Sequence, residues 1–217
     1  MGIGLAFSTL RRTLRHGWDG LITLALSGLI WYVGAILIIP LGTVTAGLHR
    51  VAQPLSEERA SNWHTMLEHL RDDLRWSTLL IWSLVAGFLF LSYNLVFYSN
   101  SGSQYLRYLA VTIFVFVLIW LAVMLVAFPM ALRQEDRALR QTLRNSIVLV
   151  FSSLPSMLVS LLLLGITTAL LLALPPLFVL IPGWVALWGE EQTRLLLVRA
   201  GYLTPDEFAD RPRAGRG

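Results

Sequence analysis

The feature that most constrains this chain is a run from Asn145 to Trp188 that contains no charged residue. At about 1.5 Å per residue, a straight helix of that length would be roughly twice as long as a bilayer core is thick. The run must therefore fold back on itself. Paired prolines cannot continue a helix, so we predict the turn at Leu174-Pro175-Pro176, with Pro155 and Pro182 as kinks in the two resulting helices.

Similar apolar runs recur, and the whole chain is 56% hydrophobic and only 14% charged. Soluble domains carry about a quarter charged residues. The runs lack the alternation of barrel strands, so helices must satisfy the backbone inside the bilayer. We predict an all-α fold, a polytopic transmembrane helix bundle of about five hydrophobic segments, the first a candidate re-entrant segment. Residues 1–200 form one domain with segments at 18–39, 76–98, 105–132, 146–173 and 176–197, and residues 201–217 form a polar, flexible tail.

Two further stretches are amphipathic and are predicted to lie at the membrane interface. At the N-terminus, Phe7, Leu10 and Leu14 share one helical face, from which Arg11 and Arg15 point away. In the second stretch, residues 63–75, an apolar stripe faces one side and charged residues face the other.

The second stretch has two interpretations, a metal site and a solvated helix. His64 and Glu68 are four residues apart and share a face, whereas His69 drifts off it. The order is not HExxH, the spacing in which two histidines and a glutamate serve a zinc site. We interpret this stretch as a solvated helix, and with no cysteine in the chain we predict neither a metal nor a cofactor.

The distribution of arginine predicts the topology, because positive side chains are enriched in cytoplasmic loops. With five plain crossings, 13 of the 17 arginines fall on the side of residues 50–75, residues 133–144 and the tail. We therefore predict a multi-pass protein of the bacterial cytoplasmic (inner) membrane with a cytoplasmic C-terminus. Arginines that flank membrane segments favour anionic lipid head groups, not nucleic acid, as partners.

The N-terminal arginines do not fit five plain crossings, since they would lie outside. They would rejoin the cytoplasmic side if the chain turned back at Pro40 and Gly42. Only about nine residues separate Gly42 from Arg50, roughly 13 Å of helix, which is short for a return span. Two interpretations remain: a single crossing with an exceptional N-terminus, or a re-entrant hairpin that buries His49 and Arg50. We favour the hairpin.

Three blocks of sequence resemble the YesL-like family of bacterial membrane proteins, also called domain-of-unknown-function 624. The first is LSGLIWYVGAILIIPLGTVTAGLHRVAQPL, similar to a signature of an apolar helix, a proline and a Thr/Gly-rich turn. The others are NWHTMLEHLRDDLRWSTLLIW and FPMALRQEDRALRQTLRNSIVLVFSSLPSMLVSLLLL. The second departs from the family, which usually has phenylalanines and lysine-asparagine pairs there. The resemblance implies a helical membrane protein associated with carbohydrate uptake, and no established activity.

Ligand candidates at the break are Thr43, Thr45, His49 and Arg50. The threonine hydroxyls and the guanidinium would suit an anionic group. The alternative, which we favour, is that the threonines satisfy backbone groups freed by Pro40 while Arg50 extends toward the head groups.

A second candidate surface is a stripe of arginines at helical spacing, predicted to lie on one face and to attract anionic lipid or an acidic partner. The stripe consists of Arg133, Arg137, Arg140 and Arg144. Glu190 and Glu191, at the end of the last segment, are expected either to pair with this stripe or to be solvated.

Three functions remain open at this stage. We favour a non-enzymatic scaffold or accessory of a carbohydrate transport or sensing system, because spans two to five have no ionisable residue near their centres. The alternatives are a small transporter or channel that works as a homo-oligomer, and a lipid-modifying enzyme at the membrane surface that uses His49, His64 or Asp19.

Overall fold

A computed structural model describes residues 2–38 and 40–203, and this part of the chain is helical without strands, which confirms the all-α prediction. The polar tail predicted from residue 201 lies almost entirely outside the described residues. The helices are α1 (Gly2–Asp19), α2 (Leu21–Ile36), α3 (Leu41–Ser56), α4 (His64–Glu68), α5 (Leu70–Ser99), α6 (Gln104–Leu132), α7 (Leu139–Ser152), α8 (Leu154–Ala173) and α9 (Ile181–Arg199), with a 3-10 helix over Pro175–Leu180.

Helices α2 and α3 form an antiparallel hairpin, so the chain does turn back at the break near Pro40. The indole Nε1 of Trp31 donates to Oγ1 of Thr45 at 3.0 Å, and Gly34 packs against Val44. Pro40 caps the start of α3, and Ile38 has a φ of 61° in the turn before it. The return helix is longer than the stretch from Gly42 to Arg50 because it continues to Ser56.

Two more antiparallel hairpins complete the bundle. In α5–α6, Nε1 of Trp120 donates to the carbonyl of Leu84 at 2.9 Å. In α8–α9, Nε1 of Trp188 donates to Oγ of Ser160 at 2.8 Å. The 3-10 helix that begins at Pro175 makes the turn between α8 and α9, in keeping with a proline pair that cannot continue a helix.

Among the described residues, three helices are long and apolar enough to cross a membrane: α5 from Asp72, α6 and α8. A fourth candidate is the pair α1–α2, which bends by 90° and has the form of a broken span or a re-entrant segment. The helix in the predicted fifth segment, α9, is not among them, and it contains four charged residues, Glu190, Glu191, Arg194 and Arg199. The apolar helices support a membrane-embedded protein.

The prolines of the last two segments lie at helix starts and not within helices. Because α7 ends at Ser152 and α8 begins at Leu154, the predicted segment 146–173 is two helices, and Pro155 is in the first turn of α8. Pro182 is likewise in the first turn of α9. A first-turn proline removes no intrahelical hydrogen bond, so neither helix needs to kink there.

Helix α3 lies at the centre of the fold, with ten of its 16 residues buried. It packs against α2, α5, α6 and α9. A Cβ at Gly42 would clash with the backbone of Ser77, and a Cβ at Gly47 would clash with Met66. Glycine at both positions therefore permits a close approach of α3 to its neighbours. The stretch that looks like a break in the sequence is therefore the core of the bundle.

Candidate functional site: a buried charge network

Two consecutive carboxylates on α9, Glu190 and Glu191, are completely buried. Successive residues of a helix point about 100° apart, so the two side chains meet different neighbours. Each pairs with a histidine of another helix. We call these two residues, together with Asp73 and the side chains that pair with them, the charge network; its other members are His16, His49, Arg50, Arg133 and Arg137.

Glu190 joins α9 to α3 and α6. One of its oxygens, Oε1, lies 3.2 Å from Nδ1 of His49, and the other, Oε2, accepts a hydrogen bond of 2.6 Å from Nη1 of Arg133. Nη1 of Arg133 also donates to the carbonyl of Pro129 at 3.1 Å. The imidazole of His49 stacks on Phe128 with ring centroids 5.6 Å apart. The carboxylate is thus held by a cation and a histidine in an apolar setting.

Glu191 joins α9 to α1. Its Oε1 lies 2.5 Å from Nδ1 of His16, and Nε2 of the same ring lies 3.7 Å from Glu58. The neighbouring Gln192 continues the contact, since its Oε1 accepts hydrogen bonds from Thr9 at 2.8 Å and Ser160 at 2.9 Å. Polar side chains therefore hold both α1 and α8 against α9.

Asp73 is the third carboxylate of the charge network and joins α3 and α5 to the loop before α7. It accepts two hydrogen bonds from Arg50, of 2.7 and 2.8 Å, and one of 2.9 Å from Arg137. Nε1 of Trp76 donates to it at 3.0 Å, and the guanidinium of Arg137 lies 5.2 Å from the centre of the Trp76 ring. A two-bond arginine–carboxylate pair fixes orientation as well as distance.

Burial of these charges is costly unless each has a partner of opposite charge and good hydrogen bonds. In the part of the chain that the structure describes, Asp73 and Glu190 have arginine partners, whereas Glu191 contacts His16 through Oε1 and its Oε2 is buried without a hydrogen-bond partner. Loss of one partner from a buried pair costs about 3–5 kcal/mol, so the charge network strongly favours one arrangement of its helices.

The four ligand candidates at the break occupy different environments. Oγ1 of Thr45 donates to the carbonyl of Leu41 at 2.7 Å, the residue four positions earlier in α3. Thr43 is buried, and its hydroxyl has no hydrogen-bond partner within the described residues. Arg50 does not extend toward the head groups, because it turns inward to Asp73. His49 is buried against Glu190.

The arginine stripe does not form one helical face, which is a correction to the sequence prediction. Helix α7 begins only at Leu139, so Arg133 and Arg137 precede it and turn inward to Glu190 and Asp73. Arg140 and Arg144 are exposed on α7. The surface predicted for anionic lipid or a partner therefore contains two of the four arginines.

Sequence reasoning missed Asp73, His16 and Gln192. Asp73 precedes an apolar span directly, and His16 lies on the face of α1 that also carries Thr9 and Thr13. That polar stripe is a signal for a buried interface. In the sequence, the apolar face of the same helix is the more obvious pattern.

The proposed enzyme residues His49, His64 and Asp19 lie on three different helices. No group of three metal-binding side chains is found among residues 2–38 and 40–203.

A cavity of about 720 Å³ lies beside the charge network, between the ends of α3, α6 and α9 and one side of α7. This volume is in the range of small-molecule sites. Its polar wall includes Gln53, Glu57, Arg133, Gln134, Asn145 and Arg194, and its apolar wall includes Met130, Val148, Leu149, Leu197, Tyr202 and Leu203.

The fold and the site define a class: a helical, membrane-embedded bundle with an ion-paired core at one end. Comparison with protein-family models, with curated proteins and with solved structures gives no match for this chain.

Proposed function

We propose that this chain is a non-enzymatic, multi-pass protein of the bacterial cytoplasmic membrane that serves as a scaffold or accessory of a transport or sensing system. The observation that supports this proposal is the pairing of the buried ionisable groups with one another. Carboxylates held in this way, between five helices, stabilise a fixed arrangement and are not exposed to a substrate.

The exposed arginines of α7 are the contact surface in this proposal. Arg140 and Arg144 are exposed one turn apart, where an acidic segment of a partner would find two guanidinium groups. The bias of arginine toward residues 50–75, residues 133–144 and the tail supports a cytoplasmic location for this surface. The association with sugar import rests on the family resemblance alone.

The test is site-directed photo-cross-linking in cells from positions on α7 next to Arg140 and Arg144. We expect a cross-linked membrane-transport component that is lost in the double variant Arg140→Glu/Arg144→Glu. The matched control is Arg11→Glu/Arg15→Glu, which reverses two exposed arginines one turn apart on α1. Absence of any cross-linked protein, together with unchanged sugar uptake after deletion of the gene, would contradict the proposal.

A second candidate is a small transporter or channel that works as a homo-oligomer, and the two histidine–glutamate pairs favour it. Ionisable residues inside a membrane protein commonly mark ion or substrate pathways and proton relays. His16–Glu191 and His49–Glu190 lie side by side on α9, within a bundle of apolar helices.

Vesicles with purified protein and an imposed pH gradient test this second candidate. Proton or solute flux that falls in Arg50→Ala and Glu190→Gln, but persists in the exposed-site control Glu135→Gln, would support transport. Vesicles that stay passive with the native protein would exclude it and leave the accessory role.

A further inference from the structure

The cavity beside the charge network has a cationic wall. Arg133 and Arg194 both line it, and Arg194 is held by a hydrogen bond to the carbonyl of Ser56. Within the described residues, both hydrogen bonds of Arg133 come from Nη1, which leaves Nε and Nη2 as donors. Glu190, which anchors Arg133, is fully buried behind it and does not line the cavity.

The remaining polar groups of the wall suit an oxygen-rich anion. Gln53, Gln134 and Asn145 supply amide donors beside the guanidinium groups. Glu57 is the single acidic side chain among the lining residues, and Arg59 pairs with it. Two guanidinium groups and one paired carboxylate therefore face the cavity, and Glu190 balances the charge of Arg133 from behind.

The opposite wall is apolar and leads outward along α7. Leu149 and Leu197 are buried at its base, whereas Val148 is 61% exposed and Tyr202 is 78% exposed at its edge. Val148 and Phe151 belong to the exposed apolar side of α7, which faces the hydrocarbon region in a membrane-embedded protein. The cavity thus connects a cationic wall with an apolar exit.

We propose that this cavity binds an anionic amphiphile, a molecule in which a phosphate or carboxylate head group is joined to an alkyl chain. The head group accepts hydrogen bonds from Arg133 and the neighbouring amides, and the chain follows Leu149 and Val148 toward the bilayer. A soluble anion would leave the apolar wall uncovered, and a neutral head group would accept weaker hydrogen bonds than an anionic one from Nε and Nη2 of Arg133. This site is independent of the partner surface on α7.

Native mass spectrometry of the full chain in detergent tests the proposal with four probes. Phosphatidylglycerol and oleate represent the two sources of the amphiphile, a membrane phospholipid and a free fatty acid. Phosphatidylcholine tests the need for net negative charge, and inorganic phosphate tests the need for the chain. We expect at least one of the first two to bind roughly tenfold more tightly than phosphatidylcholine, because hydrogen bonds between charged groups are the stronger ones.

Two variants act on the cavity without breaking the charge network. Asn145→Glu adds a negative charge to the polar wall, and its matched control is Gln141→Glu, one turn earlier on α7 and outside the cavity. Val148→Trp fills the exit, and its matched control is Val111→Trp, at a position 64% exposed on α6. We expect both cavity variants to reduce binding roughly tenfold and both controls to retain it.

Each outcome decides the proposal. Retention of phosphatidylglycerol or of oleate by the native chain and by the controls supports it and identifies the source. Equal binding of phosphatidylcholine, equal competition by inorganic phosphate, or equal binding by all four variants would overturn it. The last result would mean that the amphiphile lies elsewhere on the outer surface. Melting curves of the variants in detergent verify that they are folded.

Discussion

The charged end of the bundle and the outer part of the α5–α6 hairpin are stabilised in opposite ways. At the charged end, buried carboxylates pair with basic side chains from other helices. In the outer hairpin, residues 88–116, only Ala110 is buried and large apolar side chains point outward. The stability of the charged end depends on specific pairs of residues. The stability of the outer hairpin depends on the apolar surroundings of its outward-pointing side chains. Substitutions should therefore be costly at the charged end and well tolerated in the outer hairpin.

The largest effect is expected at Glu190. Glu190→Ala leaves the buried His49 and the partly buried Arg133 without their carboxylate, and we expect it to lower the free energy of unfolding by about 3–5 kcal/mol. Reversible unfolding in mixed detergent micelles measures this change. The control Glu135→Ala removes an exposed carboxylate. A loss below about 1 kcal/mol would mean that the charge network does not hold the bundle together.

Asp73 should be the next most sensitive position. Asp73→Asn keeps the shape but removes the charge that Arg50 and Arg137 share, and we expect a loss of about 2–3 kcal/mol. The neighbouring Asp72 is exposed, so Asp72→Asn should change stability by less than about 0.5 kcal/mol. Equal effects of the two variants in the same unfolding assay would contradict the pairing described for Asp73.

A glycine substitution compares the packing of the two regions. A Cβ at Gly34 would lie 2.5 and 2.8 Å from the methyl groups of Val44, so we expect Gly34→Ala to cost about 1–3 kcal/mol. At Gly102, in the outer hairpin, nothing lies within 4 Å of such a Cβ, and Gly102→Ala should be close to neutral. Thermal melts of both proteins check the difference, and a destabilised Gly102→Ala would show that the outer hairpin is packed.

The smallest effect is expected for an apolar truncation in the outer hairpin. Leu89 is 60% exposed, and Leu89→Ala should alter the free energy of unfolding by less than about 0.5 kcal/mol. The same change at Leu84, which is 1% exposed on the same helix, should cost about 2–5 kcal/mol. If Leu89→Ala lowered the free energy of unfolding more than Leu84→Ala does, the outer hairpin would have a protein partner, as in a homo-oligomer.

The helical class of this fold followed from the sequence because hydrophobicity and chain length leave few alternatives in a bilayer. The turn at Pro175 was predictable for a related reason, since proline acts locally. A reversal of the chain at Pro40 was favoured from the arginine distribution, and α2 and α3 do run antiparallel there. The return helix had been expected to be short because its end was placed at Arg50, whereas α3 continues for six more residues to Ser56.

The charge network could not be predicted in detail, because its members come from helices far apart in sequence. The periodicity of Arg133, Arg137, Arg140 and Arg144 suggested one face, but the helix starts later, and tertiary pairing with Glu190 determines where Arg133 points. Pairing of Glu190 or Glu191 with an arginine was one of two alternatives. Nothing local distinguished it from solvation, since both residues follow a tryptophan and a glycine at the end of an apolar run.

The consecutive positions of Glu190 and Glu191 restrict how α9 can move. Rotation of α9 about its own axis by one residue, about 100°, would remove both carboxylates from their histidines at once. A sliding motion that carries α1 and α3 along with α9 would keep both pairs intact. Because Asp73 on α5 and Arg133 at the end of α6 also belong to the charge network, a rearrangement that leaves the network in place must keep these ends of α5 and α6 together with α1, α3 and α9 as one rigid body. Large displacements are then confined to the outer part of the α5–α6 hairpin and to the helices outside the network.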